Sequence, residues 1–234
     1  MSPTDRSPSP LPMLLLLLLT VTTGLVDAIS VLGLGKVFTA NMTGNIVFLG
    51  FAAAGTPGFH PLSYVLAIGG FLIGAFLAGR TGKRHEGRPL HRWLMTAAVV
   101  EAALLWAAAL VSCTFDVASQ SPDTALFGIV VLTALAMGFR NATVRQLKVP
   151  DLTTTVLTLT LTGLAADSSA AGGANTNWAR RCASVVAIFL GAALGALLLA
   201  HAGMAVPLAL AGLLILGGTM ACALHPAYRQ SIPV

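Results

Sequence analysis

Six long apolar segments constrain this chain more than any other feature of its sequence. Each approaches the roughly 20 residues that a helix needs to cross the hydrocarbon core of a bilayer. They cover residues 11–34, 62–79, 93–113, 124–138, 182–199 and 205–224. Charged residues make up only 9% of the chain and the mean hydropathy is +0.85, which excludes an ordinary soluble domain. We predict an all-α membrane helix bundle with about six transmembrane helices.

The first segment resembles the apolar core of a secretory signal, because it follows a short polar tail. Its run of apolar residues is longer than such a core and contains no small-residue cleavage site before Asp27. We therefore interpret it as a retained helix. Residues 1–10 are predicted to form a tail and residues 11–234 a single transmembrane domain.

Basic residues cluster in the connection at residues 80–92, between the second and third segments. The positive-inside rule places that loop in the cytoplasm. The net charge of +5 is thus explained without a nucleic-acid partner. We expect a multi-pass membrane protein in contact with the lipid bilayer, with both termini cytoplasmic.

The two halves of the chain share one order of elements. Each has a long segment, a polar turn, a short threonine-bearing apolar segment and two more long segments. Asp27 aligns with Asn141 and Lys36 with Lys148. Because each half has three spans, we predict two repeats of inverted topology, at about 11–113 and 124–224.

The short segments, residues 41–59 and 152–168, are predicted to be broken or re-entrant helices. If the second one crossed the membrane, the basic residues on its two sides would face opposite compartments, although both favour the cytoplasm. The alternative is that both are short tilted spans in an eight-helix bundle.

Polar residues near the start of these segments suggest a solute site. Re-entrant segments of inverted repeats meet near the bilayer midplane, where protein or a water-filled cavity satisfies their backbone. We predict that Asn41 or Thr43, and Asp151 or Thr153, cap the half-helices, with Asn45 following. The exposed amide groups and the positive helix end favour an anionic solute.

Two acidic residues lie within predicted spans, where an ionised side chain costs roughly 2.5 to 3.5 kcal/mol. Glu101 is near the middle of the third segment and Asp27 is in the second half of the first. Either could bind a coupling proton. Alternatively, Glu101 is a hydrogen-bonded structural acid, and Asp27 caps a turn near the interface.

Arg140 and Asn141 are predicted to end the fourth span. Arg140 could pair with an acid or hold an anionic solute. Thr154, Thr158 and Thr162 have a spacing of four, which predicts a stripe of hydroxyls along one helix face. The alternative is that they bond to carbonyl groups one turn earlier.

Enzymatic chemistry finds no support in the motifs of this chain. The three cysteines are far apart and have no CxxC spacing, so neither a disulfide framework nor a metal site is predicted. No nucleophile elbow, zincin helix, phosphate loop or dinucleotide fingerprint is present. We expect no catalytic residues and no cofactor.

Two blocks of sequence carry a family resemblance. "TGLVDAISVLGLGKVFTANMTGNIVFLG" and "MGFRNATVRQLKVPDLTTTVLTLTLTGLAAD" resemble the signature blocks of the YoaK-like family of bacterial inner-membrane proteins, a domain of unknown function. The resemblance implies a polytopic membrane protein and supplies neither substrate nor mechanism.

Two hypotheses about function follow from the residues. The first is a small secondary transporter or channel-like carrier of an unidentified solute; a chain of 234 residues would then form a homodimer to enclose a path. The second is a non-transporting membrane module that binds a protein partner or lipid.

Overall fold

A computed structural model describes residues 10–147, 157–175 and 177–224, and this part of the chain is helical. The α-helices are α1 (Pro10–Gly33), α2 (Met42–Ala53), α3 (Pro61–Arg84), α4 (Leu90–Ser112), α5 (Asp123–Gln146), α6 (Leu157–Ala166), α7 (Trp178–Ala202) and α8 (Ala205–Ala223). A short 3-10 turn, Ser169–Ala171, precedes α7.

Six of these helices are long and apolar enough to cross a membrane. They are α1, α3, α4, α5, α7 and α8, and they coincide with the six apolar segments of the sequence. The prediction of an all-α polytopic bundle is therefore confirmed. The other two, α2 and α6, have 12 and 10 residues and are only about 15 to 18 Å long at 1.5 Å per residue.

The fourth span is longer than the sequence predicted. Arg140 and Asn141 do not end it, because α5 continues to Gln146. Arg140 is buried, with 2% of its surface exposed. An arginine can remain inside a span when other helices supply its partners. The prediction that Arg140 and Asn141 end the helix was therefore wrong.

α1 and α7 pack closely and run in the same direction. Gly191 lies against the backbone of Val21, and Gly195, one turn later, lies against Leu25. A Cβ atom on Gly191 would overlap the carbonyl oxygen of Val21. The GxxxG spacing of α7 therefore serves close helix packing.

α3 and α5 form a second parallel pair. Gly70 lies against Val131, and Gly74, one turn later, lies against Leu135. A Cβ atom on Gly74 would overlap the carbonyl oxygen of Leu135.

α1 runs antiparallel to α5. Arg140, late in α5, contacts Leu19 in the first half of α1. Leu126, early in α5, shares a cavity with Leu34, just after α1. Because α3 is parallel to α5, α1 ends and α3 begins at one end of the bundle.

The two short helices therefore belong to segments that return to the end from which they leave. Residues 34–60 connect α1 to α3 at one end. α5 ends and α7 begins at the other, because α7 runs parallel to α1. We call the first the Lys36 end and the second, where residues 80–92 also lie, the basic end.

The centre of the bundle is formed by α1, α4, α5 and α8, with α3 and α7 at its flanks. In the most apolar stretch of each helix, 61% is buried inside the protein for α1 and for α5, but only 22% for α7. α2 packs on α3, and α6 packs on α7. The central helices are therefore the ones that can position a protected polar site.

Candidate functional site

A buried ion pair lies at the centre of the bundle. Glu101 is at the midpoint of α4, and only 3% of its surface is exposed. The guanidinium of Arg140 on α5 donates from Nε to Glu101 Oε1 and places Nη2 beside the same oxygen. The structure thus brings together two residues that the sequence singled out separately.

Arg140 also reaches α1. Its Nη1 donates to the carbonyl oxygen of Leu19 at 3.1 Å and to the hydroxyl oxygen of Thr23 at 2.9 Å. The Thr23 hydroxyl in turn donates to Leu19 O at 2.8 Å. Three helices therefore share one guanidinium. Its Nε and Nη1 have hydrogen-bond acceptors, whereas Nη2 is buried beside Glu101 and has no hydrogen-bond acceptor within the described residues.

A small cavity adjoins the pair on its basic-end side. Its volume is about 20 Å³, and its polar lining comprises Glu101, Arg140, Thr143 and Thr219. A cavity of roughly 10 to 15 Å³ or more holds one water molecule. Thr143 is 6% exposed, and its hydroxyl has no partner within the described residues. Sequence reasoning missed Thr143, although it follows Arg140 by three residues and hence shares its helix face.

Asp27 lies in the last two turns of α1 and holds the chain that leads into α2. Its Oδ1 accepts hydrogen bonds from the backbone N–H groups of Thr39 at 3.1 Å and Ala40 at 2.9 Å. From the sequence, we predicted that the backbone amide groups at the start of α2 would bind an anionic solute. In the structure, the protein's own carboxylate accepts from the two amides just before α2.

Asn45 is fully buried and closes the same turn. Its Oδ1 accepts from the N–H of Phe38 at 2.9 Å, and its Nδ2 donates to Phe38 O at 2.6 Å. Its role is therefore to position residues 34–41, because both polar atoms of its side-chain amide are bonded to Phe38.

The predicted capping of α2 by side chains is wrong. Asn41 occupies the N-cap position, but its side chain makes no capping hydrogen bond, and Asn41 and Thr43 are both exposed. Asp27, which comes from another helix, accepts the neighbouring amides instead. Asp151, Thr153 and Thr154, the corresponding residues of the second short segment, lie outside the described residues.

The threonine stripe of α6 does not line an internal path over its described part. Thr158 is exposed, and Thr162, also exposed, donates to Thr158 O at 2.9 Å. This bond to the preceding turn is the structural alternative that the sequence left open. Asn141 is half-buried in the second half of α5. Asn141 and Asp27 therefore lie on opposite sides of the bundle's middle.

A larger cavity of about 460 Å³ opens at the Lys36 end, between the end of α1 and the starts of α3 and α5. We call it the vestibule; its polar lining includes Lys36, His60, Ser63, Gln120 and Asp123. Sequence reasoning did not find it, because these residues are distant in the chain.

The loop beside the vestibule carries a further acid, Asp116. Hydrogen bonds from the hydroxyl of Ser119, at 2.6 Å, and from the N–H of Ala118 lower the pKa of Asp116 below its ordinary value. The loop is also tied to α1, because Gln120 donates to Gly33 O at 2.9 Å. Within the described ranges, no group of three or more histidine, cysteine, aspartate or glutamate side chains could hold a metal ion.

The fold and the buried pair together define a polytopic integral membrane protein with an ionisable site at its centre. Residues 15–221 match the family described as "Protein of unknown function (DUF1275)". Because this match covers most of the chain, the protein belongs to that family, and the resemblance seen in the sequence is confirmed.

The chain is similar to the "UPF0700 transmembrane protein YoaK" of Bacillus subtilis (strain 168). It is 33% identical over 149 residues, which cover 64% of this chain and 64% of YoaK. No solved structure matches this chain.

Proposed function

We propose that this protein is a small secondary transporter that couples a proton to an anionic solute at Glu101 and Arg140. The observation that carries the proposal is the buried pair beside a polar cavity with a partnerless threonine hydroxyl. Ionisable residues are costly inside a membrane, and they commonly mark ion or proton pathways.

The chemistry follows from the balance of charge at the pair. When Glu101 is ionised, its carboxylate neutralises Arg140. When a proton binds to a Glu101 oxygen, the acid becomes neutral and the guanidinium requires another anion. A small anionic solute then takes the place of the carboxylate beside Arg140. Release of the solute and the proton on the other side restores the pair.

The cavity beside Thr143 supports a proton route from the basic end. Its volume is that of a single water molecule. A water there would accept a hydrogen bond from the Thr143 hydroxyl or donate one to it, and would also contact Glu101. Such a water would give Glu101 a polar neighbour from which it can take a proton. Asp27 differs, because its Oδ1 already accepts hydrogen bonds from two backbone amides.

Internal symmetry of the packing supports the predicted inverted repeats. Let α1, α3 and α4 of the first half correspond to α5, α7 and α8 of the second. The contact of α1 with α7 then corresponds to that of α5 with α3, and the contact of α1 with α8 to that of α5 with α4. All four pairings occur. In transporters, two such halves rock against each other around a site near the midplane.

The glycine contacts obey the same exchange. A Cβ atom on Gly24 of α1 would overlap the carbonyl oxygen of Ile188 on α7, and one on Gly138 of α5 would overlap that of Phe71 on α3. Gly24 precedes Asp27 by three residues, as Gly138 precedes Asn141, so the alignment made from the sequence also relates these two contacts.

We further propose that α2 and α6 are re-entrant and that the basic end faces the cytoplasm of a bacterial inner membrane. Both short segments return to their end of departure, which supports this arrangement. The basic residues at 80–92, Arg145 and Arg180 all belong to one end, as the positive-inside rule requires. The homodimer expected from the chain length stays a prediction, which the mass of the purified protein in detergent tests.

Proton uptake into proteoliposomes tests the function. Vesicles containing a pH-sensitive dye receive an inward gradient of chloride, sulfate, phosphate or succinate, and internal acidification is recorded. We expect at least one of these anions to drive proton uptake by the natural protein. Uptake should be lost in Glu101→Gln, retained in part in Glu101→Asp, and unchanged in the loop variant Glu86→Gln.

The alternative, a non-transporting module, is favoured by the small volume beside the pair. A site of about 20 Å³ admits no solute larger than water without movement of the helices. If none of the four anions drives uptake, the non-transporting module is the better description. If uptake persists in Glu101→Gln, the protein transports without this acid, and the buried pair is structural.

A further inference from the structure

An apolar groove runs along the outside of the bundle at the basic end. It lies between the start of α4 and the end of α8, which are antiparallel neighbours, and its volume is about 740 Å³. Its walls include Met95 and Val99 from α4 and Met220 and Leu224 from α8. Val99 is 50% exposed, Met220 53% and Leu224 68%, so the groove is open to the surrounding lipid.

The rim of this groove nearest the loop between α3 and α4 is basic. His85, His91 and Arg92 line it, and they belong to the connection that the positive-inside rule assigns to the cytoplasm. The Nδ1 atom of His85 is 2.8 Å from Thr81 O. Because a carbonyl oxygen only accepts, Nδ1 carries a proton, and this hydrogen bond holds the ring in place. Nε2 is not used in this bond.

We propose that this groove is a binding site for one anionic phospholipid of the cytoplasmic leaflet. The phosphate would lie against the guanidinium of Arg92, and an acyl chain would lie between Met95 and Met220. Nε2 of His85 donates to the phosphate only when the ring is an imidazolium, because Nδ1 already donates to Thr81 O. Basic pockets between transmembrane helices on the cytoplasmic side are typical sites for anionic headgroups. The volume lies within the range of roughly 300 to 1,000 Å³ that is common for small-molecule sites.

The charge of the rim favours a lipid over a second copy of the chain. A two-fold contact through this groove would bring two basic rims together, and like charges across an interface oppose association. An anionic headgroup instead complements the rim, while its tail covers the exposed apolar side chains. This inference does not depend on transport, since the groove faces away from Glu101.

Native mass spectrometry of the purified full chain tests the site. The protein is stripped of lipid in detergent and titrated with phosphatidylglycerol or phosphatidylcholine of the same acyl chains. We expect phosphatidylglycerol to bind more tightly, and Arg92→Gln to weaken it by about fivefold, since a basic residue near anionic lipid contributes about 1 kcal/mol. The matched control is Arg88→Gln, an exposed base of the same loop that does not line the groove.

Two further variants separate the headgroup from the tail and from self-association. Val99→Trp should fill the groove and weaken both lipids, without affecting folding because Val99 is half-exposed. Equal binding of the two lipids, or equal losses in Arg92→Gln and Arg88→Gln, would overturn the proposal. So would a disulfide between two copies of a Val99→Cys variant formed in vesicles, which would assign the groove to a dimer.

Discussion

The guanidinium of Arg140 on α5 lies against the carboxylate of Glu101 at the midpoint of α4, and both residues are nearly inaccessible. The same guanidinium binds Leu19 and Thr23 on α1. One arginine therefore holds together three of the four central helices. The pair that we propose as the site of proton binding is therefore also a contact that holds the bundle together.

Removal of either partner should destabilise the protein strongly. Glu101→Gln and Arg140→Gln each leave a buried group without its partner, and we expect each to lower the free energy of unfolding by about 3 to 5 kcal/mol. The double variant should lose less than the sum, because it leaves no unpaired charge. Denaturant unfolding in detergent micelles measures all three.

A more exposed ion pair supplies the control for this double-mutant cycle. Asp167 accepts from Arg181 at 2.6 Å, but half of the Asp167 side chain is exposed. Asp167→Asn should therefore cost about 1 kcal/mol or less. Additive effects of the two buried variants would show that the central pair is not coupled.

The sign of the change at Thr143 reports whether its cavity is wet. Thr143→Val removes a buried hydroxyl that has no partner within the described part of the chain. If a water binds there, the change should cost about 1 kcal/mol, and Thr143→Ser should be close to neutral. An increase in stability in Thr143→Val, measured by thermal unfolding, would mean a dry cavity.

Loss of Asp27 should loosen residues 34–41. Asp27→Ala removes the acceptor of the Thr39 and Ala40 amides, and hydrogen bonds to charged groups contribute about 1.5 to 3 kcal/mol. Hydrogen exchange of these two amides should accelerate by roughly 10- to 100-fold. Asp123→Ala, an exposed acid of the vestibule, should leave their exchange unchanged.

Two glycines of α3 should respond differently to the same substitution. A Cβ atom on Gly74 would overlap the carbonyl oxygen of Leu135, whereas one on Gly69 would meet nothing within 4 Å. Gly74→Ala should destabilise by about 1 to 3 kcal/mol through overpacking. Gly69→Ala should be neutral or stabilising by up to about 1 kcal/mol, since alanine favours the helix. Thermal unfolding of both variants decides, and equal effects would argue against the close α3–α5 contact.

Cysteine labelling tests the orientation and the return of residues 34–60. In a background without native cysteines, Lys36→Cys should react with an impermeant reagent from outside and Glu86→Cys from inside. Asn45→Cys should be protected from both sides, because position 45 is fully buried. Labelling of Lys36→Cys from the cytoplasm would reverse the proposed orientation.

The comparison of sequence and structure is clearest at Arg140. Its charge and its neighbour Asn141 predicted the end of a span, and only the contact with Glu101 shows why α5 continues. At Asp27, the sequence identified an unusual acid, but not that Thr39 and Ala40 would fold back to it. At α2, the N-cap position was correct and the capping side chain was not.

The sequence by itself determined the number and apolar character of the spanning helices and the membership in a family. These properties depend on local hydropathy, because each helix must match the bilayer thickness along its own length. Only the tertiary structure decided which acid meets which base, which amides Asp27 accepts, and that Thr143 adjoins a cavity. Those pairings depend on how each helix is rotated and shifted against its neighbours, and that is set by side-chain packing between segments far apart in the chain.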